Sequence, residues 1–400
     1  MTTEIMEQAD RVIAKTYKRF PIVLVRGNGC TLFDTSGRSY TDFVAGIAVC
    51  NLGHSHAGIA NAVSSQTQTL THVSNLYYTI PQVELADWLV QHSFADRVFF
   101  CNSGAEANEA AIKLARKYFS ERGQNSRFKI ITMEQSFHGR TMATLSATGQ
   151  DKIKKGFDPV LKGFDHVPFN DIETLRSKID ANTCAIMVEP IQGEGGVRCP
   201  DPGYLKAVRQ ICNEKGVLLI FDEIQTGMGR TGKLFAYEHF AVEPDIMTLA
   251  KALANGLPIG AMLARERVAE AFGPGAHATT FGGTPLITAA ALEVCQTLVQ
   301  GNIINQGRET GAYFREKLLA LKERHDVIVD LRGRGLMLGL KLASSGESLV
   351  NQCLMRGFLI NCIQDNILRF VPPLIVKKEE IDALIDCLDD LLQDLSKEPQ

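Results

Sequence analysis

Gly216-Val-Leu-Leu-Ile-Phe-Asp222-Glu223-Ile224-Gln225-Thr-Gly227, followed by Ile246-Met-Thr-Leu-Ala-Lys251-Ala-Leu-Ala254, decides how this chain folds. Each stretch is a short unbroken apolar run that ends on a charged residue. Runs of this kind predict strands buried on both faces, as in a parallel sheet covered by helices. In such sheets ligands lie beyond the carboxyl ends of the strands. The first strand delivers Asp222 to that edge and the second delivers Lys251. Most lysines are solvated surface residues, but Leu249, Ala250, Ala252 and Leu253 make open solvent a poor place for this one. Burial lowers the pKa of an amine and so favours a nucleophile that can also carry protons.

Working outward, apolar runs at 97–101, 129–132, 185–188, 217–221, 246–249 and 260–263 alternate with helical periodicity. That pattern predicts an α/β fold with a mostly parallel sheet sandwiched between helices. Upstream, short strands at 21–26 and 31–34 follow an N-terminal arm. Downstream, a long helical stretch from about 284 to 324 leads to strands at 327–332, 336–340 and 368–371 and a helical tail. The expected division is an arm and strands at 1–58, a large domain at 59–285 and a smaller α+β domain at 286–400. The N-terminal strands are expected to complete the smaller domain.

Composition sets bounds on function. With 42 Lys and Arg against 45 Asp and Glu, the net charge of -3 disfavours nucleic acid or an anionic membrane as the main partner. The ten cysteines are scattered, without a metal or disulfide spacing, and no bound metal is expected. The opening residues are acidic and polar, unlike a secretory leader. No apolar run reaches the roughly 20 residues of a membrane span. A cytoplasmic enzyme acting on small molecules is the expectation.

Four further motifs fall at expected strand ends. Cys101-Asn102-Ser103-Gly104-Ala105-Glu106 is a strand–turn–helix junction. Ser103 and Glu106 read as a capping box, which is structural. Gly104 and Ala105 would also leave backbone N–H groups free at a helix N-terminus, a setting for a phosphate. Ser136-Phe137-His138-Gly139-Arg140 offers a ring that could stack on a cofactor and an arginine that could fork a carboxylate. Either residue could equally be core or surface. Glu189-Pro-Ile-Gln-Gly193-Glu194-Gly195-Gly196 reads as a loop whose Glu194 can pair with an arginine. Arg369 sits in an apolar strand, where an unpaired charge is costly, so it needs a carboxylate from protein or substrate. Thr279-Thr280-Phe-Gly-Gly are turn residues whose hydroxyls suit phosphate contacts. A nucleotide-dependent oxidoreductase would instead show Gly-x-Gly-x-x-Gly after its first strand. The 98–116 segment lacks that triple glycine.

Taken in this order, the motifs Asn-Ser-Gly-Ala-Glu-Ala-Asn-Glu, Phe-His-Gly-Arg, Glu-Pro-Ile-Gln-Gly-Glu-Gly-Gly, Asp-Glu-Ile-Gln-Thr-Gly-Met-Gly-Arg-Thr-Gly, Ala-Lys-Ala-Leu and Thr-Phe-Gly-Gly make the chain resemble the class III pyridoxal phosphate aminotransferases over nearly its whole length. The resemblance implies fold type I, a seven-stranded large-domain sheet and pyridoxal 5′-phosphate as cofactor. It also implies a homodimer with sites at the subunit interface. By the same resemblance, Lys251 is the amine that anchors the cofactor and moves the proton. Asp222 pairs with the pyridinium nitrogen, Gln225 with the ring oxygen, and Phe137 stacks on the ring. Ser103, Gly104 and Ala105 hold the phosphate, Thr280 reaches it from a second subunit, and Glu223 and Ile224 complete the cofactor contacts. Arg140 and Thr279 contact the amine donor, while Arg369 alternates between Glu194 and the 2-oxoglutarate α-carboxylate. Residues 72–82, His-Val-Ser-Asn-Leu-Tyr-Tyr-Thr-Ile-Pro-Gln, and the compact length are most similar to members acting on N2-acetylornithine. The reaction implied is ping-pong transfer to 2-oxoglutarate in arginine synthesis. Succinyldiaminopimelate, ornithine and 4-aminobutyrate are the alternative amines. Ile47, where members acting on free ornithine carry Tyr, is expected to favour an acylated amine.

Overall fold

The computed structural model describes residues 2–395; residues 1 and 396–400, the ends of the first and last expected segments, lie outside the described residues. Seven strands form the central sheet, in the order Arg97–Cys101, Gly260–Ala264, Ile246–Leu249, Leu218–Asp222, Thr183–Val188, Lys129–Met133, Phe164–Val167. Gly260–Ala264 runs antiparallel to both neighbours, and the remaining pairs are parallel. This is the α/β architecture that the apolar runs predict. Thr183–Val188, Leu218–Asp222, Ile246–Leu249 and Gly260–Ala264 are buried along their whole length, which is why no polar alternation marks them. The edge strand Phe164–Val167 is only partly buried and was not expected.

Helix Gly104–Ser120 packs on the sheet through Ala107, Ala110, Ala111 and Ala115. These small side chains let the helix axis approach the strands closely. Ser103 caps its N-terminus by accepting from the Glu106 N–H at 3.2 Å. Glu106 does not return the bond to Ser103, as a capping box would. Its carboxylate reaches one residue further and accepts from Asn102 N at 2.6 Å and Asn102 Nδ2 at 2.9 Å. The tight turn at Asn102–Ser103 brings that N–H within reach.

A second sheet orders Ile328–Arg334, Met337–Leu342, Ile367–Phe370 and Asn361–Ile363, all antiparallel. A third orders Leu24–Asn28, Thr31–Asp34, Ser39–Asp42 and Phe358–Leu359, so N-terminal strands pair with a C-terminal one through Thr41 and Phe358. The expected N-terminal arm carries the helix Thr2–Val12, none of whose residues is buried. The expected helical stretch at about 284–324 consists of two helices, Pro285–Gln300 and Ile303–Arg324. Asn302, at φ 57°, breaks the ladder between them in a left-handed conformation that Asn tolerates. Among the described residues no single helix is long and apolar enough to cross a membrane.

Candidate active site

Parallel register sets the chemistry. Asp222, the last residue of its strand, pairs with Thr248, so the neighbouring chain reaches Lys251 three residues later at the same sheet edge. Lys251 itself adopts φ 45°, an uncommon conformation for a residue with a side chain. Such strain concentrates at functional sites. Both residues line a cavity of 430 Å³, together with Ser103, Gly104, Ala105, Phe137, Arg140, Glu194, Ile224 and Gln225. Residues quoted from five separate stretches of sequence therefore meet in one place.

Asp222 is held on three sides. His138 Nδ1 lies 2.8 Å from its Oδ2, Asn108 Nδ2 donates to the same oxygen at 2.8 Å, and Ile224 N donates to Oδ1 at 3.1 Å. Asn108 is fixed in turn by Thr248, whose hydroxyl donates to Asn108 Oδ1 at 2.7 Å, while Asn108 also donates to the His138 carbonyl at 2.8 Å. Sequence reasoning missed Asn108 and gave His138 no role. The available signal was a polar residue inside the alanine face of helix Gly104–Ser120.

Lys251 is half-buried in the cavity wall. Burial lowers its pKa below the usual lysine value; Glu194 opposes that shift and Arg369 adds to it. Arg369 is 1% exposed and pairs through Nη1 with Glu194 Oε1. Gln225 Nε2 donates to the same Glu194 oxygen at 3.3 Å. Burial pushes the Glu194 carboxyl up, but Arg369, Lys251 and Gln225 together more than offset it and the net direction is down. The expected carboxylate for Arg369 is thus present within the chain. Arg140 is exposed at the cavity rim, its guanidinium 5.7 Å from the Phe137 ring centroid. Among the described residues no carboxylate pairs with it.

Three expected residues, Glu223, Ile47 and Thr279, sit outside this lining. Glu223 faces away from the cavity and accepts from Ala236 N at 2.6 Å and Tyr237 N at 2.8 Å. The reason is strand alternation: neighbouring residues point to opposite faces, so Asp222 and Glu223 cannot both enter one cavity. Burial pushes the Glu223 carboxyl up to about 7. Ile47 is 42% exposed and lines a separate apolar groove with Phe20, Val44 and Phe358. Residues 45–48 all have positive φ, a left-handed turn that swings Ile47 outward and leaves Val49 as this loop's contribution to the cavity. Thr279 accepts from Asn102 Nδ2 at 3.1 Å, just outside the lining, and Thr280 is exposed.

The lining fits pyridoxal 5′-phosphate. Gly104 and Ala105 present the first N–H groups of a helix, which have no intrahelical acceptors. A Cβ on Gly104 would lie 2.8 Å from Ile224 Cδ1, so only glycine lets this turn close against that wall. Asp222 supplies a carboxylate for a basic ring nitrogen, and Lys251 an amine for an aldehyde. Comparison with known proteins agrees. The family model described as aminotransferase class-III matches residues 12–392. This chain belongs to the class-III aminotransferases.

It is 52% identical over 384 residues to the acetylornithine aminotransferase of Methanocaldococcus jannaschii, covering 95% of this chain and 96% of that one. It is 53% identical to the acetylornithine aminotransferase of Thermosynechococcus vestitus, covering 97% and 96%. The crystal structure of the Toxoplasma gondii ornithine aminotransferase superposes with a TM-score of 0.96 at 32% identity, covering 100% of this chain and 96% of that one. The fold is therefore that of fold type I enzymes, and the cofactor is pyridoxal 5′-phosphate.

Proposed function

We propose that the protein transfers the δ-amino group of N2-acetylornithine to 2-oxoglutarate, giving N-acetylglutamate 5-semialdehyde and glutamate, in two successive half-reactions. The observation that carries this reading is one cavity lined by a half-buried lysine, a triply anchored aspartate, a rim arginine without a carboxylate partner among the described residues, and Glu194, which pairs with the buried Arg369 behind that wall. Roughly 50% identity to acetylornithine aminotransferases over nearly the full chain supports the choice of substrate.

Bound pyridoxal 5′-phosphate supplies an aldehyde carbon that accepts and returns the amino group, and a ring that stabilises negative charge on the reacting carbon. The protein does the rest. The N–H groups of Gly104 and Ala105 hold the phosphate. Asp222, aimed by His138 and Asn108, would hold the ring nitrogen protonated, because a close negative charge favours the cation. Phe137 and Ile224 would provide apolar walls, and Gln225, which lines the same cavity, would meet the ring oxygen. Lys251 would hold the aldehyde carbon, and its lowered pKa would let Nζ take the proton from the donor carbon.

Arg140 forks the α-carboxylate of acetylornithine at the rim. During that half-reaction Arg369 stays neutralised by Glu194, so nothing in the inner pocket demands a second carboxylate. When 2-oxoglutarate enters, its α-carboxylate displaces Glu194 from Arg369. One cavity thus accepts an amine donor and then a dicarboxylate.

The same reading places the enzyme in the cytoplasm as a homodimer. All ten cysteines are free thiols, as a reducing compartment keeps them. Leu76, Tyr77, Tyr78, Ile80 and Phe281 are each more than 60% exposed, an apolar surface of the kind subunits cover. Thr280 adjoins Phe281 on that surface, where it would meet the partner's phosphate site.

Mixing holoenzyme separately with acetylornithine, ornithine, 4-aminobutyrate and succinyldiaminopimelate tests the assignment. The cofactor's visible absorption is expected to bleach fastest with acetylornithine. A faster response to another amine overturns the substrate, and no response to any amine overturns the reaction.

A further inference from the structure

A second cavity, of 460 Å³, lies between the foot of the 191–198 loop and strand Ile328–Arg334 and shares no lining residue with the Lys251 cavity. Its walls carry four arginines, Arg198, Arg315, Arg332 and Arg334, and Cys199. Among the described residues a single carboxylate, Asp330, lines it. That carboxylate is already engaged by Arg332 Nε at 2.6 Å.

Gathering guanidinium groups around one space is unfavourable unless an anion compensates them, because like charges repel and each must give up some water. The chain nevertheless holds these arginines in place. Arg332 Nη1 donates to the Gly196 carbonyl at 3.5 Å, Arg315 Nη1 donates to the Gly333 carbonyl at 3.3 Å, and Arg334 Nη1 lies 3.2 Å from His239 Nδ1. Arg198 lies 6.0 Å from the Phe169 ring centroid, and its backbone pairs with Gln192 in both directions at 3.0 Å. These contacts use a minority of the five N–H donors on each guanidinium. Burial pushes the Cys199 thiol up while Arg334, Arg315 and Arg332 pull it down, which puts three cationic groups within electrostatic reach of one sulfur.

We propose that this cavity binds a small polyanion, a phosphate or carboxylate compound bearing at least two negative charges. Guanidinium forks match both oxyanions bidentately, and the volume lies in the range of small-molecule pockets. The site is distinct from the substrate carboxylate contacts at Arg140 and Arg369. It sits at the foot of the same loop that carries Glu194.

Calorimetric titration of the holoenzyme with pyrophosphate and with citrate tests this. One saturable site per chain for either compound is expected, and which binds more tightly identifies the source of the oxyanion. In the Arg198→Gln/Arg334→Gln variant the affinity should fall by at least about tenfold, the loss expected for charge-assisted hydrogen bonds. It should be unchanged in Arg140→Gln. Undiminished binding in the double variant, loss in Arg140→Gln, or an equal response to chloride at matched ionic strength overturns the proposal. Should the double variant not fold, phenylglyoxal labelling of wild type read by mass spectrometry decides. Pyrophosphate or citrate must protect Arg198 and Arg334, and unprotected labelling overturns it.

Discussion

Replacing Glu194 by Gln separates the two half-reactions. The side chain keeps its shape and an acceptor oxygen for Arg369, but loses its charge. The ion pair becomes a hydrogen bond with one charged partner, so the Arg369 contact loses its ionic part and weakens by about 1–1.5 kcal/mol. The entering α-carboxylate of 2-oxoglutarate has that much less to displace, and its affinity should rise about tenfold. Glutamate in the reverse direction should gain by a similar factor. Acetylornithine, held at Arg140 with Arg369 untouched, should change much less. A second effect has the same origin. Glu194 raises the pKa of Lys251 against the lowering by burial, so the variant should carry its free lysine lower still and shift the acid limb of the donor half-reaction to lower pH. Rapid-mixing absorbance measurements of each half-reaction, from pH 6 to 10, read both effects. If both substrates change by one common factor, or 2-oxoglutarate binds more weakly, Glu194 merely supports the loop and the alternation with Arg369 is wrong.

Asp222→Asn keeps the shape and most hydrogen bonds but removes the charge, so kcat/KM should fall at least about 100-fold, as for loss of a preorganised electrostatic group. Retained activity with cofactor bound would remove Asp222 from the mechanism. Arg230 is fully buried, and it donates to the carbonyls of Leu336 at 2.8 Å and Pro372 at 2.6 Å and to Asn51. Arg230→Leu strands these acceptors and should cost about 2–4 kcal/mol in denaturant unfolding, while an unchanged midpoint would show water replacing the guanidinium. His54 is raised to about 9, first by its hydrogen bond to Asp42 and then by Cys50, so its stabilising contribution is complete below about pH 6.5 and lost as pH rises through about 9. Unfolding curves of wild type and His54→Asn should therefore converge over that interval; curves that stay parallel would leave the His54–Asp42 pair without a stabilising role.

How far the sequence could be read depended on whether the deciding pattern was local. Strands buried on both faces leave continuous apolar runs, and Ile246–Leu249 and Gly260–Ala264 lie where those runs predict. Asp222 and Lys251 were legible because each ends such a run, so strand order alone brings them to one edge. Strands of two or three residues, Phe358–Leu359 and Asn361–Ile363, leave no period to detect. Glu223 was misplaced by reading proximity in sequence as proximity in space. The two-residue period of the strand continues past Phe221, and it sends Glu223 behind the sheet edge to the 235–237 backbone. Ile47 shows the opposite limit. No residue type in Ala-Gly-Ile-Ala announces four successive left-handed conformations, since only the glycine takes them readily. That backbone path leaves Val49 rather than Ile47 on the wall of the Lys251 cavity. If shape at this loop selects the donor, enlarging residue 49 should slow acetylornithine more than the shorter 4-aminobutyrate. The ratio of their half-reaction rates in Val49→Phe measures it, and an unchanged ratio would move selectivity to Arg140 alone.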